Sequence, residues 1–278
     1  MLKYTFQHVP SVGEKLEKHL WRNGILQWED YLNSYEKIKL PYNIHRNMEI
    51  FLNKSIDALN NNDVLFFERF LPAKELWRIY SEFMNNCVFL DIETAGKNGR
   101  QDFISTISMY NGKNIKTYVK GINLDAFPRD IEKYSLIITY NGKLFDIPFI
   151  LHTFKHLHLK SAHIDLRPIL QRLHLKGGLK AIEKIVGIRR PKFLRKIDGY
   201  HAILLWEKYQ KGDSRALDGL ILYNQEDASN LHFLMHYAYN KLIALFPLPT
   251  EKLPLPQKPQ LIKVDPSVYF EIRNPHHR

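Results

Sequence analysis

The sequence predicts a mixed α/β domain behind a small helical region, and three observations carry that prediction. Residues 88–119 hold three strand-like runs, Val88–Thr94, Phe103–Tyr110 and Ile115–Val119, the last two joined by Asn111-Gly112, a strong hairpin signal. Behind this meander Leu136–Tyr140 is a compact apolar run of the kind found in a central parallel strand, and helical segments alternate with one more strand after it. Last, Ser214–Asn240 reads as one long helix, with Leu220, Tyr223, Leu231 and Leu234 on a single stripe.

Composition bounds the rest. A chain of 278 residues with 16 Phe and 15 Tyr has the apolar content for a substantial core. Its one cysteine, Cys87, excludes an internal disulfide framework and suits a reducing compartment. No apolar run has membrane-spanning length, and residues 1–10 lack the apolar centre of a signal peptide, so a cytoplasmic location without membrane association is expected. The net charge of +11 favours a polyanionic partner, nucleic acid before anionic membrane.

In chain order, residues 1–40 suggest two short helices around turns. Val9–Gly13 is a turn, Ser11 is a candidate cap, and Glu14–Arg22 is a helix closed by Asn23-Gly24. A second helix starts near Trp28. Pro10-Ser11-Val12-Gly13 followed by Leu20 and Gly24-Ile25 resembles the helix-hairpin-helix motif, although that family usually has Gly where Ser11 stands. The resemblance implies that the hairpin around Ser11 and Gly13 offers backbone N–H groups to a phosphate; a plain helical packing unit is the alternative. Residues 41–85 read as a helical connector, with Leu76, Ile79, Tyr80 and Phe83 on one helical stripe beginning near Pro72. The α/β domain is placed at 86–244. Residues 245–278 carry seven of the 14 prolines and read as an extended tail.

Within the α/β domain a polar loop is expected from Thr94 to Asp102. Helices are expected at Asp125–Tyr134, Ile147–Phe154, Pro168–Leu173, Leu179–Val186 and Ala202–Tyr209, with a short fifth strand at His163–Leu166.

Four acids stand where acids are costly. Asp91 and Glu93 interrupt the first strand and, by its period of two, point to one face while Ile92 points to the other. They are either a solvated strand end or a cation site. Asp146 follows the turn Asn141-Gly142 at the end of a strand, where ligands of such sheets sit, though it would also suit a helix cap. Asp227 lies in the middle of the apolar stripe of the long helix, one turn after Tyr223. Four carboxylates drawn to one spot repel unless divalent metal holds them, and oxygen-only ligands favour Mg²⁺ or Mn²⁺.

Asp91-Ile92-Glu93-Thr94, Asn141 through Phe145-Asp146, and Tyr223 through Asp227 together resemble the three exonuclease motifs of the DEDD, or DnaQ-like, superfamily, most closely its YprB-like ribonuclease-H-like proteins. The resemblance spans roughly residues 86–240. It implies a ribonuclease-H-like mixed sheet and a two-metal 3′–5′ exonuclease using two Mg²⁺ or Mn²⁺ ions. Asp91, Glu93 and Asp227 would hold the ion that activates water, Asp91 would also bind the second, and Asp146 would act through that ion's shell. Tyr223 would orient the attacking water, as in the tyrosine subgroup; the histidine subgroup needs His at position 222, which is Leu222 here. Thr94, Asn141, Lys143 and Phe145, which lie within the first two motifs, would contact substrate.

Arg189, Arg190, Lys192, Arg195 and Lys196 form a basic loop with Phe193 interleaved, suited to following a single strand by phosphate contacts and base stacking, or simply to solvent. The expected partner is a single-stranded end, DNA before RNA. A non-catalytic nucleic-acid-binding adaptor and a structure-specific endonuclease on the same fold are the rival readings. Asp165 is expected to cap the helix opening at Pro168, and His232 and His236 to pack or face solvent.

Overall fold

The computed structural model describes residues 1–35, 38–96 and 102–273. The N-terminal helices are α1 Glu14–Arg22, α2 Trp28–Ser34, α3 Tyr42–Asn60 and α4 Val64–Phe70. The helical stripe expected after Pro72 is formed by a 3-10 segment, Ala73–Ile79, followed by the short α5, Tyr80–Phe83. Strands follow at β1 Cys87–Ala95, β2 Phe103–Tyr110, β3 Ile115–Val119, β4 Leu136–Thr139 and β5 Ala162–Asp165. Between and after them come α6 Phe127–Ile131, α7 Asp146–Thr153, α8 Leu166–Arg172, α9 Leu179–Val186, α10 Gly199–Gln210, α11 Ser214–Ile243 and α12 Ser267–Arg273. Residues 97–101 of the expected polar loop, and 274–278 of the tail, lie outside the described residues. No described helix is long and apolar enough to cross a membrane.

The strands form one mixed sheet in the order β3-β2-β1-β4-β5. β1, β2 and β3 are the antiparallel meander, and β4 and β5 join parallel to β1. The alternation of β1 divides its side chains between two cores. Phe89 packs with Leu231, Leu234 and Met235 of α11. Val88, Leu90 and Ile92 pack on the opposite face with Phe127, Ile131 and Ile150 of α6 and α7. Asp91 and Glu93 therefore share the α11 side of the sheet, as the period of two requires.

The N-terminal region does not stand apart from this core. Leu20, Trp28, Phe67 and Trp77 belong to the same apolar cluster as Phe89 and Tyr239. Trp21 meets Phe246 edge-on, and Trp77 stacks on Phe246, so the helical region closes over the end of α11.

The C-terminal tail is extended from Glu251 to about residue 265 and then turns into α12 rather than staying extended. Val268, Tyr269 and Ile272 are buried against the side of α10 and α11, and the Tyr269 hydroxyl donates to the Gly219 carbonyl at 2.7 Å. The extended part is tied to α11. Both Glu226 carboxylate oxygens accept from Lys258 at 2.6 Å, and Asn240 exchanges two hydrogen bonds with the Leu253 backbone.

Candidate active site

The site forms where β1, the turn after β4 and the middle of α11 converge. Asp91 and Glu93 pair across β1–β2 with Ser108 and Thr106, and a bulge between Glu93 and Thr94 ends the regular register. α11 lies across β1 and β2 and brings Asp227 over them. Asp91, Glu93 and Asp227 offer carboxylate oxygens that all lie within 4.8 Å of one another.

Asp146 arrives from the other side. The turn after β4 is tight: Asn141 adopts φ 65°, and a Cβ on Gly142 would meet Thr139 Oγ1 at 2.1 Å, so only glycine fits there. Asp165 secures this turn by accepting from the Asn141 and Lys143 amides at 2.8 and 3.2 Å, while it also caps α8 through the Arg167 amide at 2.9 Å. Asp146 is thus the first residue of α7 rather than its cap, which is Phe145. Its Oδ1 accepts from the Ile92 amide at 3.2 Å, which sets it beside the three-acid group without joining it.

Burial, then the charges of Asp227, Glu93 and Asp146, hold the Asp91 carboxyl well above the usual carboxylate range. Burial and the Asp227 charge do the same to Glu93. Burial raises Asp146 to about 7. All donors are hard oxygens, which fits Mg²⁺ or Mn²⁺ and does not fit soft ions.

This pKa ordering predicts a pH dependence. Protons held by raised carboxyls must leave before a cation can enter, so Mn²⁺ affinity should climb as pH rises, including through about 7 where Asp146 loses its proton, by up to roughly tenfold per unit for each proton released. The same shifts mean that the metal-free protein loses stability as pH rises through about 7, because its folded form holds protons that the unfolded chain has already released. Isothermal titration in buffers of different ionisation enthalpy counts the released protons; a pH-independent affinity with no proton release would contradict the assignment.

Two supporting contacts were not evident in the sequence. Asn224 is fully buried and its Nδ2 donates to the Asp91 carboxylate at 2.7 Å and to the Asp91 carbonyl at 3.1 Å. Lys180 of α9 donates to the Tyr223 hydroxyl at 2.7 Å and also reaches the Ile197 carbonyl. Asn224 stands one residue after Tyr223 and one turn before Asp227, yet nothing in the sequence marks it as a partner of Asp91; Lys180 is visible there only as a lysine near the pair Gly177-Gly178.

Arg190 differs from its expected place in a solvated loop. It is buried, its Nε and Nη2 donate to Glu183 at 2.6 Å each, and Nη2 also pairs with Asp227. Asn230 adds a bond to Glu183 at 3.1 Å. A buried arginine needs carboxylates, and Glu183 and Asp227 are the two in reach. Phe193 is likewise not free to stack on a base: it lies on the Tyr269 ring at 5.2 Å.

The remaining candidates are dispersed. Thr94 is half-buried beyond the bulge, and Lys143, Arg189 and Lys192 are exposed. Asn141 accepts from Arg167 at 2.6 Å. Phe145 is exposed, with its ring 4.9 Å from that of Phe149. Ser11, at φ 72°, and Gly13, which caps α1 without a side-chain bond, sit at the exposed N-terminal hairpin, remote in sequence from the acids. His232 and His236 pack away from the acids, His232 on Phe89 and His236 on the Tyr80 hydroxyl and the Pro254 carbonyl.

A family model described as the RNase H superfamily matches residues 88–239, more than half of the chain. Among solved structures, the family B DNA polymerase from the hyperthermophilic archaeon Pyrobaculum calidifontis is similar at 14% identity and a TM-score of 0.44. That match covers 57% of this chain and 24% of the polymerase chain, so it spans less than a quarter of the polymerase. No curated protein matches.

Proposed function

From the premise that the chain belongs to the RNase H superfamily, we propose that it is a metal-dependent 3′–5′ exonuclease of the DEDD type, tyrosine subgroup. Its substrate is a single-stranded nucleic acid end, DNA in preference to RNA, and its products are nucleoside monophosphates. The observation that carries the reading is the meeting of Asp91, Glu93 and Asp227 within 4.8 Å, with Asp146 tethered to Ile92 beside them.

Asp91, Glu93 and Asp227 would hold the ions, with Asp146 completing the set. Two divalent ions bound there would lower the pKa of water and stabilise charge on the leaving oxygen. The protein's own part is positioning. Asn224 fixes the Asp91 carboxylate, and Arg190 fixes Asp227. The Tyr223 hydroxyl is pushed far up by burial and by the Asp227 and Glu93 charges, so it stays an O–H at neutral pH and is no general base. Because Lys180 donates to its oxygen, the phenolic proton is left to point at a water or a phosphate oxygen. Lys143 and the exposed Phe145 flank the same turn and would meet the strand, one by charge and one by stacking. The N-terminal hairpin around Ser11 and Gly13 would add a phosphate contact further along the strand.

The test uses end-labelled single-stranded DNA and RNA with Mg²⁺, Mn²⁺ or EDTA. Metal-dependent release of mononucleotides from the 3′ end is expected, whereas internal cuts would favour an endonuclease and no cleavage an adaptor. Tyr223→Phe should lower turnover on the order of a hundredfold while leaving the Mn²⁺ titration unchanged. Equal turnover at saturating substrate would remove Tyr223 from the mechanism.

A further inference from the structure

Five of the cations near the site gather in one place. Lys180, Lys184, Arg189, Arg190 and Arg195 converge on one cavity of about 590 Å³, between α9 and the segment that follows it. The one acid in its wall, Glu183, is already taken by Arg190 through both oxygens at 2.6 Å. The Lys184 and Arg189 side chains make no ion pair or hydrogen bond among the described residues, and the Arg195 side chain spends only its Nε, on the Arg190 carbonyl at 3.2 Å. Arg190 Nη1 is buried with no hydrogen-bond partner. A helix C-terminus such as that of α9 favours one or two nearby cations. Glu183 and Asp227 offset Arg190, but Lys180, Lys184, Arg189 and Arg195 gather around the same concavity beside a buried guanidinium N–H left unpaired, and such groups repel one another unless an anion joins them.

The cavity also shares residues with the candidate active site. Lys180 lines it and donates to the Tyr223 hydroxyl; Arg190 lines it and pairs with Asp227.

We infer that this cavity is a phosphate-binding subsite, adjoining the carboxylate cluster through Lys180 and Arg190. The guanidinium and ammonium groups supply charge-assisted donors suited to a tetrahedral oxyanion, and the planar Arg189 and Arg195 forks suit paired phosphate oxygens. Two sources carry this chemistry: a phosphodiester of the bound strand, and the phosphate monoester of a released nucleotide. The inference rests on the nuclease reading for the identity of the phosphate's bearer.

The experiment measures binding apart from cleavage. In an Asp91→Asn background with EDTA, a single-stranded oligonucleotide is titrated against the parent and against Lys184→Ala/Arg189→Ala/Arg195→Ala, over a range of salt. The triple variant should bind at least about tenfold more weakly, and its log Kd against log salt should be shallower by about 2, the value for three phosphate contacts to a single strand. Competition by a nucleoside monophosphate, or by inorganic phosphate, separates the sources. If the triple variant also loses that competition, the monoester occupies the cavity; if only oligonucleotide binding weakens, the strand's diester does. The charge-preserving set Lys184→Arg/Arg189→Lys/Arg195→Lys should keep the parent's salt slope. Unchanged affinity and slope in the alanine variant, or the same loss in the charge-preserving one, would overturn the inference. The two readings fail separately: wild-type protein that cuts no nucleic acid, with the binding results as expected, would sink the nuclease and leave the subsite. Cutting by the wild type, with parent-like binding by the triple variant, would do the reverse.

Discussion

Asp91→Asn should abolish cleavage while making the metal-free protein more stable. Asp91 lies within reach of Glu93 and Asp227 and is aligned by Asn224, so any cation held by the group must touch it. Replacing the charge with an amide of the same size removes one hard-oxygen anion and leaves the packing in place. If Asp91 serves both ions of the proposed reaction, its loss is expected to lower cleavage on the order of a thousandfold or more. Stability should move the other way. Burial and three neighbouring carboxylates already hold the Asp91 carboxyl above its usual range, which is a cost to the folded state at neutral pH. The neutral amide removes that cost, and the trade of stability against activity is the usual signature of a functional charge cluster. The measurement pairs single-stranded DNA cleavage with melting curves in EDTA and in Mn²⁺. The variant should melt higher than wild type in EDTA and gain less from Mn²⁺. Activity within about tenfold of wild type would remove Asp91 from the site.

What the sequence disclosed and what it hid divide along the range of the interactions involved. Strand period alone places Asp91 and Glu93 on one face and Ile92 on the other, and the sheet keeps that division because each face packs against different helices. A stripe at helical spacing likewise carries Asp227 and Tyr223 to the same side of α11. These are local rules, and tertiary packing had no reason to override them. Arg190 and Phe193 are different. Their segment is basic and interleaved with an aromatic, a pattern that local reading assigns to a solvated strand-binding loop. Nothing local reveals that Glu183 and Asp227 stand ready to take Arg190, or that Tyr269 of a late, seven-residue helix covers Phe193. That helix was itself hidden among prolines, since one apolar turn of Val268, Tyr269 and Ile272 is too short to establish a period. The N-terminal region shows the same limit. Asn23-Gly24 and the prolines punctuate the chain as if it held a separable module, yet Trp21 and Trp77 both pack on Phe246, far along the chain at the end of α11.

Arg78→Met should produce the largest loss of stability outside the site. Arg78, Glu17 and Glu75 are all fully buried. Arg78 Nη1 donates to Glu17 Oε1 at 2.8 Å, and Nε donates to Glu75 Oε2 at 2.8 Å. Glu75 is shared with Arg172 of α8, while Glu17 also accepts from the Phe6 amide at 2.8 Å and from Gln7 at 2.6 Å. One guanidinium thus joins α1, the 3-10 segment and, through Glu75, the helix after β5. Methionine keeps much of the volume and the contact with the Phe246 ring, over which the guanidinium sits at 5.2 Å. It removes the charge, leaving two buried carboxylates with Arg172 as the remaining cation. Breaking such a network by taking one partner costs about 3–5 kcal/mol, whereas replacing all of its members is close to neutral. For a chain of this size the expected drop in Tm is roughly 10 °C. The triple variant Arg78→Met/Glu17→Gln/Glu75→Gln should recover part of it, because both buried carboxylates are then neutral and only Arg172, whose side chain reaches solvent, loses a partner. Cleavage measured well below the transition should stay near the wild-type rate, since none of the three side chains touches Asp91, Glu93, Asp146 or Asp227. A loss under about 1 kcal/mol would mean that water reaches the pair and that the N-terminal region is held by its aromatic contacts alone. Loss of cleavage at low temperature would instead tie this network to the geometry of the site.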